Sequence, residues 1–243
     1  VKQTEQRLLE KYIMKRFGSI ALLLATLLLG GCVTAPRNPI ALSATSLEAK
    51  AGKVGVAMTA LPKLDTHLPG ASCLLCIAAA SAANSSLTAH TRTLPYEDLP
   101  KLKNTVAELL RKRGTDAIVI DEEINVSALA DAETSGPNTP RKDFTPLRTK
   151  YKVDKLIVIN IVEIGMLRTY SAYFPTSDPK GYVFGSGFMV NLSNNTFEWF
   201  QPVQVTKAAE GKWDEPPKFP GLTNAYFQAL ELAKDAFTKP FSN

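Results

Sequence analysis

The chain has 243 residues, with 28 Lys and Arg against 23 Asp and Glu, a formal net charge of +5. Apolar residues make up 45% and charged residues 21%, ordinary values for a globular protein. These numbers exclude a largely disordered chain, a collagen-like chain and a polytopic membrane protein.

Residues 1–13 (VKQTEQRLLEKYI) are polar and sit awkwardly ahead of a hydrophobic segment. They read as a mis-assigned extension, with Met14 as the true first residue; the alternative is a genuine extension. Residues 14–32 read MKRFGSIALLLATLLLGGC. Lys15 and Arg16 form a basic start, residues 20–29 an apolar middle broken only by Thr26, and Gly30 and Gly31 the small residues of a cleavage point. This is the three-part pattern of a secretory signal peptide over residues 14–31. Its apolar stretch is about half the length of a helix that crosses a bilayer.

Leu29-Gly30-Gly31-Cys32 resembles the lipobox of bacterial lipoproteins, with Gly where that family more often carries Ala or Ser at position 30. The resemblance implies cleavage before Cys32, a diacylglycerol on its sulfur and a third acyl chain on its amine. Each buried methylene contributes about 0.8 kcal/mol and a single chain anchors marginally, so three chains would hold a protein without a spanning helix. Val33, rather than Asp, follows the cysteine; by the same resemblance the destination is the outer membrane, facing the periplasm. The alternative is an ordinary signal peptide followed by a chance cysteine.

Residues 1–31 carry Lys2, Arg7, Lys11, Lys15 and Arg16 against Glu5 and Glu10, so the remainder holds 23 basic and 21 acidic residues. No block of Lys and Arg is left to neutralise a run of phosphates, and nucleic acid is not expected as a partner. Residues 32–52, rich in Pro, Ser, Thr and Ala, read as a lipid-anchored flexible tether. Residues 53–243 then read as a single periplasmic domain with an apolar, cysteine-containing insertion at 62–98.

Within that domain, residues 53–58 (KVGVAM) form a first strand ended by Pro62. Leu99, Leu102, Val106, Leu109 and Leu110 share one helical face. Gly114 stops that helix, and Arg111, Lys112 and Arg113 suit the negative end of its dipole. Residues 117–120 (AIVI) read as a buried strand, 121–131 as a polar, short helical stretch, and 133–143 as a loop. A short helix over 144–151 precedes 156–164 (LIVINIVEI), apolar on both faces at its start, as in a central strand covered on both sides. Gly165 interrupts this strand, and 166–174 continue it. Residues 182–192 and 197–205 are two further strands joined by the four-residue connection SNNT. After a loop at 207–221, Leu222, Ala225, Tyr226, Ala229, Leu230, Ala233 and Phe237 define a final amphipathic helix. The expected fold is α/β (α+β): a mixed sheet of about five strands packed with two main helices.

This order resembles the periplasmic domain of the curli-secretion lipoprotein family and the N-terminal domain of TolB-type proteins. The matching stretches are the helix ending LLRKRG at 109–114, the strand at 117–120, YKVDKLIV at 151–158 and the hairpin ending in Glu198-Trp199. The segment 62–98 departs from that pattern, and no long amphipathic hairpins suited to a pore are visible.

Residues 71–83 (ASCLLCIAAASAA) are apolar or small, broken only by Ser72 and Ser81. They suit a small-residue helix in the core or at a subunit contact, a segment dipping into the membrane surface, or a redox or metal site. Cys73 and Cys76 are candidates for a disulfide: in an oxidising compartment a nearby pair is expected to bond, and an i, i+3 spacing on a helical turn is within reach. A thioredoxin-like role wants a thiolate at a helix N-terminus. The position after Pro69-Gly70 fits this loosely, and Leu74-Leu75 and the lack of a charged neighbour argue against it. His67 and His90 are the only histidines, and no paired zinc-binding spacing accompanies them. No metal is expected.

No catalytic constellation is visible. Gly185-Ser186-Gly187 lies in a strand rather than at a strand-to-helix turn, and Asp121-Glu122-Glu123 reads as a solvated edge. Tyr170, Tyr173, Phe174 and Trp199 are candidates for a partner surface, or for the packed face of a sheet. The expected role is a non-enzymatic, outer-membrane-anchored lipoprotein, with covalent lipid on Cys32 and no cofactor. It acts through envelope proteins in secretion, transport or assembly, and a homo-oligomer is allowed. The alternative is an envelope redox or metal-handling protein using Cys73 and Cys76.

Overall fold

Alternation along one strand organises the molecule. In a computed structural model that describes residues 37–48 and 52–242, β4 (Lys155–Leu167) is the central strand. Successive side chains of a strand point to opposite faces. Ile157, Ile159 and Ile161 therefore enter one core, while Leu156 and Val158 enter another. A strand buried on both sides needs apolar residues at every position, which is why its first half shows no polar alternation.

The main sheet has six strands, in the order β3 (Ala117–Val119), β1 (Val54–Met58), β4, β7 (Lys180–Asn191) and β8 (Thr196–Ala208). β2 (Asp65–His67) pairs with β4 beyond the end of β1. β3, β1, β2 and β4 run parallel where they pair; β4, β7 and β8 are antiparallel. A two-stranded ribbon, β5 (Tyr170–Ser171) with β6 (Phe174–Pro175), projects past the end of β4.

Five helices accompany these strands among the described residues. They are α1 (Leu74–Ala83), α2 (Ser85–Thr91), α3 (Leu102–Lys112), α4 (Pro146–Tyr151) and α5 (Pro220–Thr238). The two main ones, α3 and α5, share one face of the sheet: Leu102, Val106 and Leu110 meet Leu222, Tyr226, Leu230 and Phe237 over Ile157 and Ile159. On the other face, Leu147 of α4 and the neighbouring Phe144 close over Leu156, Val158 and Phe188. The α/β class and mixed sheet are as expected.

Three details differ from the sequence reading. Gly165 does not interrupt β4. It lets β2 pack close, because a Cβ there would collide with the Asp65 backbone, and its φ of +132° suits glycine alone. The strand ends at Leu167 and turns into the β5–β6 ribbon instead of running on to 174. Residues 121–131 contain only the 3-10 turn Val126–Ala128; Ile124 N–H donates to Met58 O (2.9 Å), which continues the sheet pairing and prevents a helix. The segment 62–98 supplies β2, α1 and α2 and buries Leu64 and Leu87 in the larger core.

Part of the stretch expected as a tether over 32–52 is docked on the domain. Ile40 exchanges two backbone hydrogen bonds with Phe200 (2.8 and 3.0 Å). Leu47 is buried in the larger core, and Thr115 Oγ1 donates to Leu47 O (2.6 Å). Three apolar residues, Ile40, Leu42 and Leu47, set in a small-residue background dock this stretch on the domain. The unit that holds the sheet thus includes this stretch from Pro39 onward. The extension at 1–13, the signal at 14–31 and Cys32 lie outside the described residues. Among the described residues no helix is long and apolar enough to cross a membrane.

Candidate functional site

Helix α1 is apolar or small on every side, with Ser81 its one polar residue, and yet mostly exposed. Alanine gives it helix propensity, Cys73 caps its start and Asn84 follows its end. Only Cys76 and Ala80 are buried, in a small cluster with Ala71 and Tyr170. Leu74 is 87% exposed, Leu75 72% and Ile77 47%. The ribbon beside it adds Phe174 at 74% and Tyr173 at 48%. No Asp, Glu, Lys or Arg occurs between Asp65 and Arg92. A helix that is apolar all round is normally interior, and exposed apolar patches rimmed by polar residues mark contact sites.

The patch is held rigidly. Tyr170 N–H donates to Pro69 O (2.8 Å) and Ala172 N–H to Gly70 O (3.1 Å), strapping the ribbon to the approach to α1. Gly70, at φ +90°, permits this, since a Cβ would strike the Tyr170 carbonyl. Asn84 Nδ2 donates to Ala80 O and to Tyr170 Oη, both at 2.7 Å, and its Oδ1 accepts from Arg168 Nη1 at 3.1 Å. The Arg168 guanidinium lies 4.9 Å from the Trp213 ring centroid, a cation–π contact. Cys73 and Cys76 are joined by a disulfide, with Cα atoms 4.9 Å apart. Cys73 Sγ also accepts from Cys76 N–H (3.0 Å) and lies 3.7 Å from Tyr173 Oη.

The four aromatic candidates divide. Tyr173 and Phe174 are on the exposed ribbon. Tyr170 and Trp199 are not surface residues: Tyr170 is 7% exposed and spends its hydroxyl on Asn84, and Trp199 is 2% exposed, edge-to-face with Phe241 at 5.1 Å. Alternate strand positions put Trp199 under the α5 layer, where burial of its large ring outweighs any surface role.

The two histidines are not brought together with the cysteines. His67 Nδ1 is 3.8 Å from Glu163 Oε2 and its ring meets Tyr182 edge-on. Burial, then the Glu163 carboxylate, pushes the Tyr182 hydroxyl up to about 12, so it stays neutral at ordinary pH. His90 Nε2 is 2.7 Å from Thr223 Oγ1; burial and then Lys218 hold its pKa below the usual value. Among the described residues no group of three or more His, Cys, Asp or Glu is placed to hold a metal ion.

A second concavity, of about 680 Å³, opens at the carboxyl ends of β1 and β3, beside the bulge between Ile161 and Glu163. Its polar lining is largely self-satisfied. Thr59 Oγ1 donates to Asn160 Oδ1 (3.0 Å), Ser127 Oγ to Asn125 Oδ1 (2.7 Å), and Lys142 pairs with Asp131 (2.8 Å). The α1 patch leaves apolar surface uncovered and is the stronger candidate.

No family model matches the chain, and no curated protein matches it. Among solved structures it is similar to the PelC dodecamer from Paraburkholderia phytofirmans: 9% identity, 83% of this chain and 95% of that one, TM-score 0.32. A Xanthomonas campestris protein of the DUF330 family model gives 10% identity, 86% and 94% coverage, and TM-score 0.35. Lipoprotein GNA1162 from Neisseria meningitidis gives 13%, 74% and 95%, and 0.26. At such scores these likenesses carry no weight for function.

Proposed function

We propose that the protein is an outer-membrane-anchored, periplasm-facing lipoprotein that works by binding another envelope protein through α1 and the β5–β6 ribbon. The exposed apolar surface of Leu74, Leu75 and Phe174 carries this reading. Covering each such side chain would contribute about 1.5–3 kcal/mol, enough for a few of them to anchor a contact. The lipobox supports the anchoring, and the Cys73–Cys76 disulfide supports an oxidising compartment.

The patch is remote from the Ile40 bridge. From Cys32 to Pro39 an extended chain covers at most about 25 Å. Ile40 pairs with Phe200, which stands level with Phe188 and Val158 across the sheet. The ribbon and α1 lie past Leu167, nine residues further along β4, roughly 30 Å away. The Ile40 bridge and the α1 patch are thus at distant points of the sheet.

Anchoring and docking are tested separately. Cys32→Ser is expected to move the protein from the membrane fraction to the soluble periplasmic fraction; unchanged membrane association would sink the anchor. For docking, a photo-cross-linker at residue 77 in intact cells should give one discrete adduct with a different protein. Leu75→Asp, at an exposed position where it leaves the fold intact, should reduce that adduct about tenfold or more. Cross-links to lipid alone, to a second copy of this chain or to nothing would overturn the docking reading.

A further inference from the structure

The two sulfurs of the Cys73–Cys76 pair are unequal. Cys73 is the N-cap of α1 and is exposed, whereas Cys76, one turn on, is 3% exposed and packed with Ala80 and Tyr170. Cys76 N–H points at Cys73 Sγ, and the start of a helix favours negative charge on that atom. The Tyr173 hydroxyl stands 3.7 Å from the same sulfur. Leu74 and Leu75, next to Cys73 in the chain, and Phe174, next to Tyr173, add exposed apolar surface. Thiol–disulfide exchange depends on which sulfur is attacked and which leaves. Here only one can be approached, and the helix that would steady its thiolate is ten residues long.

We propose that Cys73–Cys76 is a thiol–disulfide exchange site that takes two electrons from a dithiol polypeptide presenting an apolar segment to the rim. A thiolate of the incoming protein attacks Cys73 Sγ. The Cys73–Cys76 bond breaks, a bond from Cys73 to the partner sulfur forms, and Cys76 leaves as a thiolate that takes up a proton. The second thiol of the partner, losing its proton, attacks the partner sulfur of that mixed disulfide and expels Cys73 as a thiolate. The partner is left with a disulfide, and the Cys73–Cys76 pair is left as the dithiol. This goes beyond the docking reading and rests on it only for the surface on which the partner lands.

The test uses the full chain carrying Cys32→Ser, so that two cysteines remain. After reduction, iodoacetamide at neutral pH should alkylate Cys73 about tenfold or more faster than Cys76, read by peptide mass. The oxidised protein in millimolar reduced glutathione should acquire glutathione on Cys73 as the Cys76 thiol is released, and a Cys76→Ala variant given oxidised glutathione should hold that adduct, releasing one reduced glutathione. Equal alkylation rates, or a disulfide that stays intact in glutathione for hours, would overturn the proposal and mark a local staple; neither readout needs a variant that perturbs α1. Fast Cys73 chemistry with no partner cross-link at residue 77 defeats docking alone. Slow Cys73 chemistry with an intact cross-link defeats exchange alone.

Discussion

Trp199→Ala is expected to lower the unfolding free energy by about 3–5 kcal/mol, read from the denaturant midpoint. Trp199 is almost fully buried, with its ring edge-to-face against Phe241 and laid over Gly187. Truncation removes the largest side chain between β8 and the C-terminal turn Lys239–Phe241, and neighbours on a six-stranded sheet cannot collapse to refill the space. Gly187→Ala attacks the same contact from β7, because a Cβ there runs into the indole; its cost should be about 1–3 kcal/mol. The double variant should lose less than the two losses added, since both remove one contact. A Trp199→Ala loss under about 1 kcal/mol would contradict this packing.

Glu198→Gln is expected to cost about 2–3 kcal/mol, less than for a fully buried pair because part of Glu198 meets water. Lys155 Nζ donates to Glu198 Oε2 (2.6 Å) and to Ser46 O (3.0 Å), and Asn191 Nδ2 donates to Glu198 Oε1 (2.8 Å). Removing the carboxylate strands the Lys155 ammonium, which is 7% exposed. Burial alone would push the Glu198 carboxyl up, but hydrogen bonds from Lys155 and Asn191 and the Lys155 charge outweigh it and hold it below the ordinary value of 4.5. The folded pKa lies below the unfolded one. The contribution is therefore complete above the unfolded value and is lost as pH falls through the folded value. Urea unfolding from neutral to acid pH should show that slope in the parent and a flatter one in Glu198→Gln. Replacing both partners, Lys155→Met with Glu198→Leu, should recover part of the loss at neutral pH; no recovery would mean the pair matters for more than its charge balance.

What the sequence showed and what it hid follow from the range of the interactions. All seven residues assigned to the apolar stripe of α5 are buried, because a helix of 19 residues repeats its signal over five turns. The central strand was legible for the same reason: its apolar run is long and bounded by turns. β2 was not, because three polar residues, Asp65, Thr66 and His67, pair only through the space Gly165 leaves. The docked segment from Pro39 to Glu48 depended on distant partners, Phe200, Thr115 and Lys155, that no local pattern announces. At the candidate site, the cysteine pair and the apolar run were visible, but their exposure was not. A run such as LLCIAAASAA has the composition of an interior helix, and only the tertiary structure shows that Leu74, Leu75 and Ile77 are exposed. The same limit divided the aromatics: both faces of this sheet are covered, so an aromatic in a strand gives no hint of which side meets water.

The docking of residues 39–48 also has a mechanical side. Tension applied to the chain ahead of Pro39 enters the domain through the Ile40–Phe200 bridge, the Leu47 contact and the Ser46 carbonyl held by Lys155. These few bonds are far weaker than the long ladders joining β4, β7 and β8. Under load the segment would peel away first and release roughly 30 Å of slack. The outermost strand pairing would act as a fuse, and the sheet that positions α1 and its ribbon would keep its shape.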